Sequence, residues 1–393
     1  MGAVVTGIAR TPQGRFAGVF KPLKAVQLGA VAMQGALDRS GLAPERIEEV
    51  IFGQVLQAGE GQITARQAAV QAGVPMTVPA VTINKVCLSG MTSIAMADRS
   101  IRLGESSFVL AGGMESMTNT PYIAPKARWG ARMGDVQLID AMLHDGLWCS
   151  FDHCIMGESA DRKSAQLGID REEQDQWAFN SHKRAQAATE SGAFADEIVP
   201  VEVPRRKADP VVVAIDEGIR PDTTMESLAR LRPAFSDDGT ATAGNASQIT
   251  DGAAAVVVAD RAAAEAEGLP ILAEILSYGQ IGGADATLQE RPAEAIALAL
   301  KKAGMDAADL ELVEINEAFA SVAVWSARML DLDPEKVNVN GGAVALGHPL
   351  GASGARITVT LINALRKRGG GIGAAALCGG GGQGDALILE VFV

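Results

Sequence analysis

The sequence has only four cysteines among its 393 residues. So few cysteines in a chain of this length do not make a disulfide framework, and we therefore expect a reducing compartment. Basic residues are also in deficit, because 34 Lys and Arg stand against 47 Asp and Glu, for a formal net charge of −13. That charge argues against non-specific binding to nucleic acid or to an anionic membrane surface. An anionic ligand would need a local group of basic side chains.

Long apolar runs are lacking as well. No stretch approaches the ~20 apolar residues that span a bilayer, so we expect no membrane association. Residues 1–6 lack the basic segment of a secretory signal and have the pattern of a first strand. Gly2 followed by Thr6 also fits a loose myristoylation pattern, which stays open as an alternative. The last residues are not a peroxisomal Ser-Lys-Leu signal, and together these features predict a cytoplasmic protein.

One strand–helix pattern occurs twice along the chain. The first copy predicts strands at 3–8, 49–54, 80–84 and 108–111 and helices at 26–39, 64–72 and 89–103. The second copy predicts strands at 271–277, 310–315, 337–340 and 372–378 and helices at 293–303, 318–330 and 352–368. Glycines that favour a left-handed cap follow four of these helices, namely Gly41, Gly104, Gly304 and Gly369. The segments 110–113 and 377–380 are alike and end equivalent strands.

The repeated alternation predicts parallel sheets covered by helices, in two halves related by a pseudo-twofold axis. Residues 119–248 do not continue it and hold three of the four tryptophans. We therefore expect an N-terminal half from residues 1–118 and 249–270, an inserted loop domain from 119–248, and a C-terminal half from 271–393. Ligand-binding side chains should lie at strand ends and on loops of the insertion.

Cys87 and His348 each lie just before a predicted helix. The thiol of Cys87 should feel the positive helix end, which favours a nucleophilic thiolate. A small buried apolar side chain is the alternative. His348 stands in a glycine-rich turn that forms neither a dinucleotide fingerprint nor a Walker motif. We expect it to titrate near neutrality as a base, with helix capping as the alternative.

Two further segments carry polar chemistry. Cys378 opens a run of glycines over 378–384, where backbone N–H groups could bind a developing oxyanion. A flexible turn would explain the same glycines. Asn316 follows a predicted strand, and its amide could donate to an oxyanion or hold a water. A helix N-cap is the alternative for this residue.

The insertion contains two clusters of possible ligands. Its basic residues could form a patch for a polyphosphate ligand or simply be solvated, and they are Arg205, Arg206, Lys207, Arg220, Arg230 and Arg232. A second group has residue types that suit zinc, namely His144, Cys149, Asp152, His153 and Cys154. Its spacing lacks a Cys-x-x-Cys pair, so we expect no metal.

Taken together, segments 84–90, 244–251, 316–319, 347–349 and 378–384 resemble the signatures of the thiolase family in order and spacing. The resemblance covers essentially the whole chain. It implies an α/β fold of two βαβαβαββ halves in five layers, α-β-α-β-α, with an inserted loop domain that binds coenzyme A.

The resemblance also implies roles for individual residues. Cys87 would be the nucleophile that carries the acyl group, His348 would activate it, and Cys378 would be the second acid and base. Asn316, through a water, and His348 would line one oxyanion hole, and the N–H groups of Cys87 and Gly380 the other. Contacts to coenzyme A would come from Arg220, Ser227, Phe235 and Ser247, with Leu147 and Met156 near its pantetheine arm.

The function implied is reversible thiolysis of a 3-oxoacyl-CoA, or Claisen condensation in reverse, through an acyl-cysteine with ping-pong kinetics. We expect acetoacetyl-CoA as substrate, no tightly bound cofactor, and a homo-oligomer, dimer or tetramer, acting in fatty acid metabolism. Alternatives are a longer-chain 3-ketoacyl-CoA thiolase of β-oxidation, a decarboxylating condensing enzyme, and a non-catalytic lipid carrier. One departure is Ile155, where many short-chain biosynthetic members carry a histidine, and His153 is a candidate substitute.

Overall fold

The two copies of the strand–helix pattern form two sheets that meet along one edge. The computed structural model describes residues 2–393. The first half begins with β1 (Ala3–Arg10), β2 (Gly14–Arg15), α1 (Ala25–Ser40), β3 (Glu49–Gly53), α2 (Thr64–Gln71), β4 (Ala80–Ile83), α3 (Ser89–Leu103) and β5 (Phe108–Ser116).

Short hairpins and three helices make up the insertion. Its elements are β6 (Tyr122–Ile123), β7 (Ile139–Asp140), β8 (Trp148–Cys149), β9 (Cys154–Ile155), α4 (Met156–Leu167), α5 (Arg171–Glu190), β10 (Val201–Arg205), β11 (Ala208–Val213) and α6 (Met225–Ala229). Helix α5 begins where the pattern Asp-x-x-Glu allows a capping box, with the Asp170 carboxylate accepting from the Glu173 N–H at 2.9 Å.

The rest of the chain closes the first half and forms the second. Its elements are β12 (Thr250–Asp260), α7 (Arg261–Ala266), β13 (Ala273–Gly282), α8 (Arg291–Ala303), β14 (Leu312–Ile315), α9 (Ala320–Met329), α10 (Ala343–Leu346), α11 (Ser353–Lys367), β15 (Gly371–Gly379) and β16 (Gln383–Val391). Strand β12 pairs with β1 and β5 and so returns the chain to the first half. The limits given above for the three domains stay a prediction.

Strand order is the same in both halves for four strands, and β4 of the first half has no counterpart among the described residues of the second. It runs β4-β3-β5-β12-β1 in the first and β14-β15-β16-β13 in the second. Strands β5 and β15 are equivalent, since each is parallel to the strand on one side and antiparallel to the strand on the other. The first strands of the two halves, β1 and β13, pair through Val4–Glu274 and Val5–Ala273. This order supports the predicted duplication.

The strand predicted at 337–340 is wrong. Only a single parallel bridge forms there, between Val313 and Val337. The next residue, Asn338, has a left-handed backbone with φ of 49°. Its side chain instead accepts from the N–H of Ile315 and donates to the Ile315 carbonyl, both at 2.8 Å. A side chain has therefore taken the hydrogen bonds that a strand would have made.

Five layers result from how the helices cover the sheets. Helices α1 and α2 pack on the outer face of the first sheet, α8 and α9 on the outer face of the second, and α3 and α11 lie between the sheets. Helix α11 is buried from Ser353 to Leu365, as a helix between two sheets should be. The predicted fold class is confirmed. Among residues 2–393, no helix combines the length and the apolar character that crossing a membrane requires.

Glycine caps fixed most helix ends as predicted. The residues that follow α1, α3 and α8 are left-handed, with φ of 74° at Gly41, 72° at Gly104 and 71° at Gly304. The cap of α11 differs, because it is Arg368, with φ of −104°, and Gly369 comes one residue later.

Candidate active site

The predicted catalytic residues meet where parallel strands end and central helices begin. Cys87 lies between β4 and α3, Asn316 follows β14, and Cys378 lies at the end of β15. His348 lies in the turn that precedes α11. Because equivalent ends of the two sheets face the same side of the α3–α11 layer, segments from both halves share one place.

Side-chain hydrogen bonds build the turn that carries Cys87. The Asn84 Oδ1 accepts from the Val86 N–H at 2.9 Å, and the Ser89 hydroxyl donates to the Val86 carbonyl at 2.6 Å. Val86 has a left-handed backbone with φ of 50°, which is uncommon for a β-branched residue. The turn therefore holds Cys87 in place at a backbone that is strained.

Burial keeps Cys87 protonated at rest. Its side chain is buried beside Leu88 and Met91, and this burial raises the pKa of the thiol to about 12. The N–H groups of Cys87 and Gly380 point at the sulfur and act in the opposite direction, but more weakly. The prediction that the helix end favours a resting thiolate is therefore wrong, because desolvation outweighs the dipole. A base must take this proton.

His348 is oriented by the serine that begins the next helix, α11. The Ser353 hydroxyl donates its proton to the Pro349 carbonyl at 2.9 Å, so its oxygen accepts from His348 Nδ1, which lies 2.5 Å away. This arrangement fixes the tautomer with Nδ1 protonated and leaves Nε2 as a proton acceptor. The backbone N–H of His348 donates to the Gln248 carbonyl at 3.1 Å, which fixes the turn.

The imidazole of His348 is neutral over the whole physiological range. Burial, and then the nearby Arg356 guanidinium, lower its pKa to about 3. The prediction that His348 titrates near neutrality is therefore wrong, because burial disfavours the imidazolium cation and lowers the pKa. The helix-capping alternative is not seen either, because the cap residue of α11 is Ala352. Neutral His348 is available as a base.

Asn316 faces the imidazole and not a helix end. Its amide nitrogen lies 3.5 Å from each ring nitrogen of His348, and its side chain is fully buried. Helix α9 is capped by Phe319, so the N-cap alternative is not realised. The Asn316 Oδ1 is buried and accepts no hydrogen bond within residues 2–393. A buried carbonyl of this kind generally binds a water.

Cys378 lies at the end of β15, and Gly380 lies on the turn that joins β15 to β16. Burial, and then the proximity of Cys87, raise the pKa of the Cys378 thiol, which places the two sulfurs near each other. A Cβ at Gly379 would meet the Leu88 side chain at 2.5 Å, so the turn lies directly against the Cys87 segment. The glycine run is therefore a turn and also the source of the Gly380 N–H near the Cys87 sulfur.

A cavity of about 460 Å³ leads to His348 from the surface. Its walls are mostly apolar, as is common for sites that hold a flexible organic arm. It brings together five residues predicted to contact coenzyme A, which are Leu147, Met156, Arg220, Phe235 and Ser247. Cys378 belongs to the same buried cluster as the wall residues Phe319 and Met156. A groove of about 560 Å³ between α5 and α9 holds none of the predicted residues.

Ser227 is the predicted ligand contact that the structure does not bring to the cavity lining. Its hydroxyl donates to the Thr224 carbonyl at 2.8 Å, and its N–H donates to the Thr224 hydroxyl at 3.1 Å. The second of these bonds, together with the bond from the Thr224 N–H to the Ser227 hydroxyl at 3.0 Å, forms the capping box that starts α6. The contact between Ser227 and coenzyme A stays a prediction.

Several wall residues were not predicted as contacts, and they are Arg15, Phe16, Met117, Leu143, Ile155, Gln248, Ile249 and Leu350. Burial, and then the nearby Arg15, lower the pKa of Arg220, and both arginines line the cavity near its mouth. Nothing in the local sequence marks Arg15 as a ligand residue. Ile155, which stands where many short-chain members carry a histidine, makes this part of the cavity wall apolar. His153, the candidate substitute, is exposed and does not line the cavity.

The other two clusters of the insertion do not form sites. Of the predicted basic patch, Arg220 alone is among the described residues that line the cavity. Arg205 ends β10, and Arg206 and Lys207 form the exposed turn before β11. The structure groups no three His, Cys, Asp or Glu side chains of residues 2–393 around a possible metal ion.

Two buried glutamates hold the site together, and we assigned them no role from the sequence. Glu115 accepts from the N–H groups of Val55, Leu56 and Gly351 at 3.0, 3.1 and 2.9 Å. Burial raises its pKa to about 7. An acidic residue inside a strand of small, buried residues was the available signal.

Glu317 ties the insertion to the segment that leads to His348. Its carboxylate accepts from the Trp177 indole and the Ser181 hydroxyl of α5, each at 2.8 Å. It also accepts from the Val344 N–H at 2.9 Å. These bonds connect α5 to α10, and α10 directly precedes the turn of His348.

The duplicated five-layered fold has two neighbouring thiols, one from each half, and a buried imidazole that lines a cavity. These features define a class of protein that known sequences share. Family models described as the thiolase N-terminal domain and the thiolase C-terminal domain match residues 3–262 and 269–391. The chain belongs to the thiolase family.

Individual relatives are similar over their full length. A probable acetyl-CoA acetyltransferase of Mycolicibacterium smegmatis is 52% identical over 98% of this chain and 100% of its own. An acetyl-CoA acetyltransferase of Pseudomonas aeruginosa is 47% identical over 98% of each chain. The crystal structure of the Bacillus anthracis acetyl-CoA acetyltransferase superposes with a TM-score of 0.97 at 43% identity, over 100% of this chain and 99% of that one.

Proposed function

We propose that this protein is a CoA-dependent acyltransferase that cleaves 3-oxoacyl-CoA with coenzyme A and catalyses the reverse Claisen condensation. Acetoacetyl-CoA, giving two acetyl-CoA, is the leading substrate. The observation that supports this best is that neutral His348 lines an apolar cavity, while the neighbouring Cys87 and Cys378 thiols come from the two halves, with the Gly380 N–H directed at the Cys87 sulfur. The names of the full-length relatives agree with it.

The first step acylates Cys87. His348 Nε2 takes the thiol proton, and the sulfur attacks the C3 ketone carbon of the substrate. The negative charge that forms on the ketone oxygen is stabilised by the N–H groups of Cys87 and Gly380, which already point at the sulfur. Because the resting thiol has a raised pKa, proton removal and attack must be coupled.

The second step breaks the C2–C3 bond. The bond electrons pass to the acetyl-CoA enolate, whose oxygen accepts hydrogen bonds from His348 and from a water held by Asn316. The Cys378 thiol donates its proton to C2 and becomes a thiolate. Burial keeps that thiol protonated before the step, which is what an acid needs. The Cys87 sulfur carries no charge once it is bonded to C3, so it does not oppose formation of the Cys378 thiolate.

The third step returns the acyl group to coenzyme A. The Cys378 thiolate takes the proton of the CoA thiol, and the CoA sulfur attacks the acyl carbon. The Cys87 sulfur then leaves and regains its proton from His348. Every proton donor is back in its starting state, so the enzyme needs no tightly bound cofactor. Two separate half-reactions give ping-pong kinetics.

The cavity suits a coenzyme A arm and a short acyl group. Arg220 and Arg15 flank the mouth, where cations can pair with phosphate groups of an otherwise repelled anion. Leu143, Leu147 and Ile155 give an apolar wall for the pantetheine chain. A longer-chain 3-ketoacyl-CoA thiolase is the second candidate, because Ile155 offers no polar contact to the arm.

Rates of thiolysis across 3-oxoacyl-CoA substrates of increasing chain length test the function. We expect cleavage of acetoacetyl-CoA, and a fall in kcat/KM as the chain lengthens. Highest activity on long chains would favour the β-oxidation enzyme. Condensation with malonyl-CoA but not with acetyl-CoA would show a decarboxylating enzyme and contradict the proposal.

We also propose a homo-oligomer, because large apolar side chains are exposed in two places. The loop after β6 exposes 82% of Trp129 and 98% of Met133, and the edge strand β4 exposes 39% of Val81. Exposed apolar side chains of this size on a loop and on a sheet edge are typical of interfaces.

Light scattering after gel filtration tests the oligomer. We expect a dimer or tetramer for the wild type, and a smaller particle for the double variant Trp129→Ser, Met133→Ser. The variant of the exposed Val212 to Ser, on the β11 hairpin, is the matched control and should keep the wild-type mass. A monomeric wild type would contradict this part of the proposal.

A further inference from the structure

A buried ion pair joins the two halves directly behind the reactive thiols. The Lys85 ammonium lies 2.7 Å from Asp385 Oδ1. The carboxylate is fully buried, and the lysine side chain is 16% exposed. Lys85 precedes Cys87 by two residues in the first half, and Asp385 lies on β16 in the second.

Asp385 is bonded to the first half twice. Its Oδ2 accepts from the Thr92 hydroxyl on α3 at 2.8 Å. The Tyr278 hydroxyl of β13 lies 3.5 Å from the Lys85 ammonium. Burial, and then the neighbouring Asp385 carboxylate, raise the pKa of the Tyr278 hydroxyl. The Asp385 carboxylate therefore contacts the Lys85 ammonium and the Thr92 hydroxyl, both from the first half. It also contacts the Tyr278 hydroxyl, which comes from the second half, as Asp385 does.

The position of Asp385 relates it to the second thiol. In the β15–β16 ladder, Asp385 pairs with Leu377 and Gly384 pairs with Cys378. The aspartate thus lies one ladder position from Cys378, while Lys85 lies in the turn that carries Cys87. The Lys85–Asp385 ion pair therefore connects the backbone segment that carries Cys87 to the strand pair that carries Cys378.

An ion pair in this place needs a reason beyond stability. Removing two charges from water is unfavourable, and apolar side chains of similar volume often stabilise a core as well or better. The residues that follow Asp385 on β16, from Ala386 to Leu389, are buried and apolar. What the pair supplies, and an apolar contact does not, is a directed contact of fixed length between the two turns.

We infer that Lys85 and Asp385 are positioning residues that set the spacing between the Cys87 and Cys378 thiols. The inference rests on the proposed function, in which Cys378 and the Gly380 N–H must reach a substrate bound to Cys87. Misplacing one reacting group by about 1 Å can lower a rate by about 100-fold.

The Lys85–Asp385 pair should affect the rates of steps that need both Cys87 and Cys378, and not the rates of steps that need Cys87 without Cys378. Alkylation of Cys87 by iodoacetamide needs only Cys87 and its base His348. Exchange of the acetyl-CoA methyl protons in D₂O needs both turns. Transfer of an acetyl group from acetyl-CoA to Cys87 releases CoA as its thiol with the proton of Cys378. The Cys378 thiolate that remains removes a proton from the methyl carbon of a second acetyl-CoA and, after exchange with solvent, returns a deuteron. We therefore expect Asp385→Asn and Lys85→Met to slow exchange and thiolysis by about 10- to 100-fold. Alkylation of Cys87 should keep the wild-type rate.

The double variant Lys85→Met, Asp385→Leu separates spacing from folding. It leaves no unpaired buried charge, so its thermal midpoint should stay close to that of the wild type. Its exchange and thiolysis should be as slow as in the single variants. Glu274→Gln is the matched control, because it removes another ion pair between the halves, Arg261–Glu274 at 2.6 Å, away from the cavity lining. This control should keep all three rates.

The outcomes are distinct. Wild-type exchange rates in the folded double variant would overturn the inference, and so would an equal loss of alkylation and exchange in Asp385→Asn. A wild-type protein that fails to cleave acetoacetyl-CoA would overturn the proposed function instead, whatever the variants do.

Discussion

At the scale of single residues, burial decides the protonation states of the site. It raises the pKa of both thiols and lowers that of His348 to about 3, so all three groups are neutral at rest. A neutral site suits a reaction in which protons move only when substrate is bound and water is excluded. The serine that orients the imidazole then matters as much as the imidazole itself.

Replacing Ser353 by Ala should lower kcat for thiolysis by about 10- to 100-fold, because Nδ1 loses the acceptor that fixes the tautomer. The KM for acetoacetyl-CoA should stay close to the wild-type value, since Ser353 does not line the cavity. Iodoacetamide alkylation of Cys87 should slow in parallel, because the same base serves it.

Ser326→Ala is the control for that change. This serine is also buried in a helix and donates to the Gln289 carbonyl at 2.9 Å, but it lies outside the site. Wild-type turnover in Ser353→Ala would show that the tautomer does not depend on Ser353.

At the scale of elements, local sequence predicted helices better than strands. Helix ends followed from glycine caps such as Gly41 and Gly104, because a left-handed residue is a strictly local requirement. The strand near Val337 failed, because the Asn338 side chain replaced backbone bonds that only the neighbouring strand reveals. The start of β13 at Ala273, two residues later than predicted, depends likewise on pairing with β1 and β16.

The insertion supplies Arg220, one of the two cations at the cavity mouth, and its substitution tests the role of that cation. Arg220→Gln should raise the KM for coenzyme A by about tenfold, because a charge-assisted bond to phosphate is lost. Thiolysis with pantetheine, which has no phosphate groups, should be unchanged. Arg230→Gln, an exposed arginine of the same insertion, is the control. An equal rise in KM for coenzyme A and for pantetheine would show that Arg220 does not act by binding the phosphate groups.

At the scale of the whole molecule, the site depends on residues far apart in sequence. Local patterns indicated Cys87, His348 and Cys378 as candidates, but their roles came from the resemblance to a family. Contacts such as Arg15 in the cavity wall, and Asp385 on β16, carry no local signal, because only the packing of the two halves gives them neighbours. The site was therefore predictable at its reactive groups and not at its supports.

Acid sensitivity should arise from histidines buried in the neutral form. Burial lowers the pKa of His182 to about 4, where its Nδ1 accepts from the Arg220 N–H at 3.2 Å. Because the unfolded chain takes up the proton first, stability is lost as pH falls from about 6.5 towards 4. Between about pH 7 and pH 5, the wild type should lose about 2 kcal/mol more than His182→Asn, at about 1.4 kcal/mol per pKa unit.

Urea unfolding at both pH values measures this difference. The substitution His144→Asn is the control, because the His144 side chain is 59% exposed. Equal acid losses in the wild type and His182→Asn would show that His182 does not stay neutral in the folded protein.

The central claim is that Cys87 carries the acyl group, and peptide mass spectrometry after incubation with acetyl-CoA tests it most directly. We expect one acetyl group on the peptide that contains Cys87, lost on addition of coenzyme A and absent in Cys87→Ser. An unmodified Cys87, or an acetyl group that accumulates on Cys378, Cys149 or Cys154 instead, would contradict the claim.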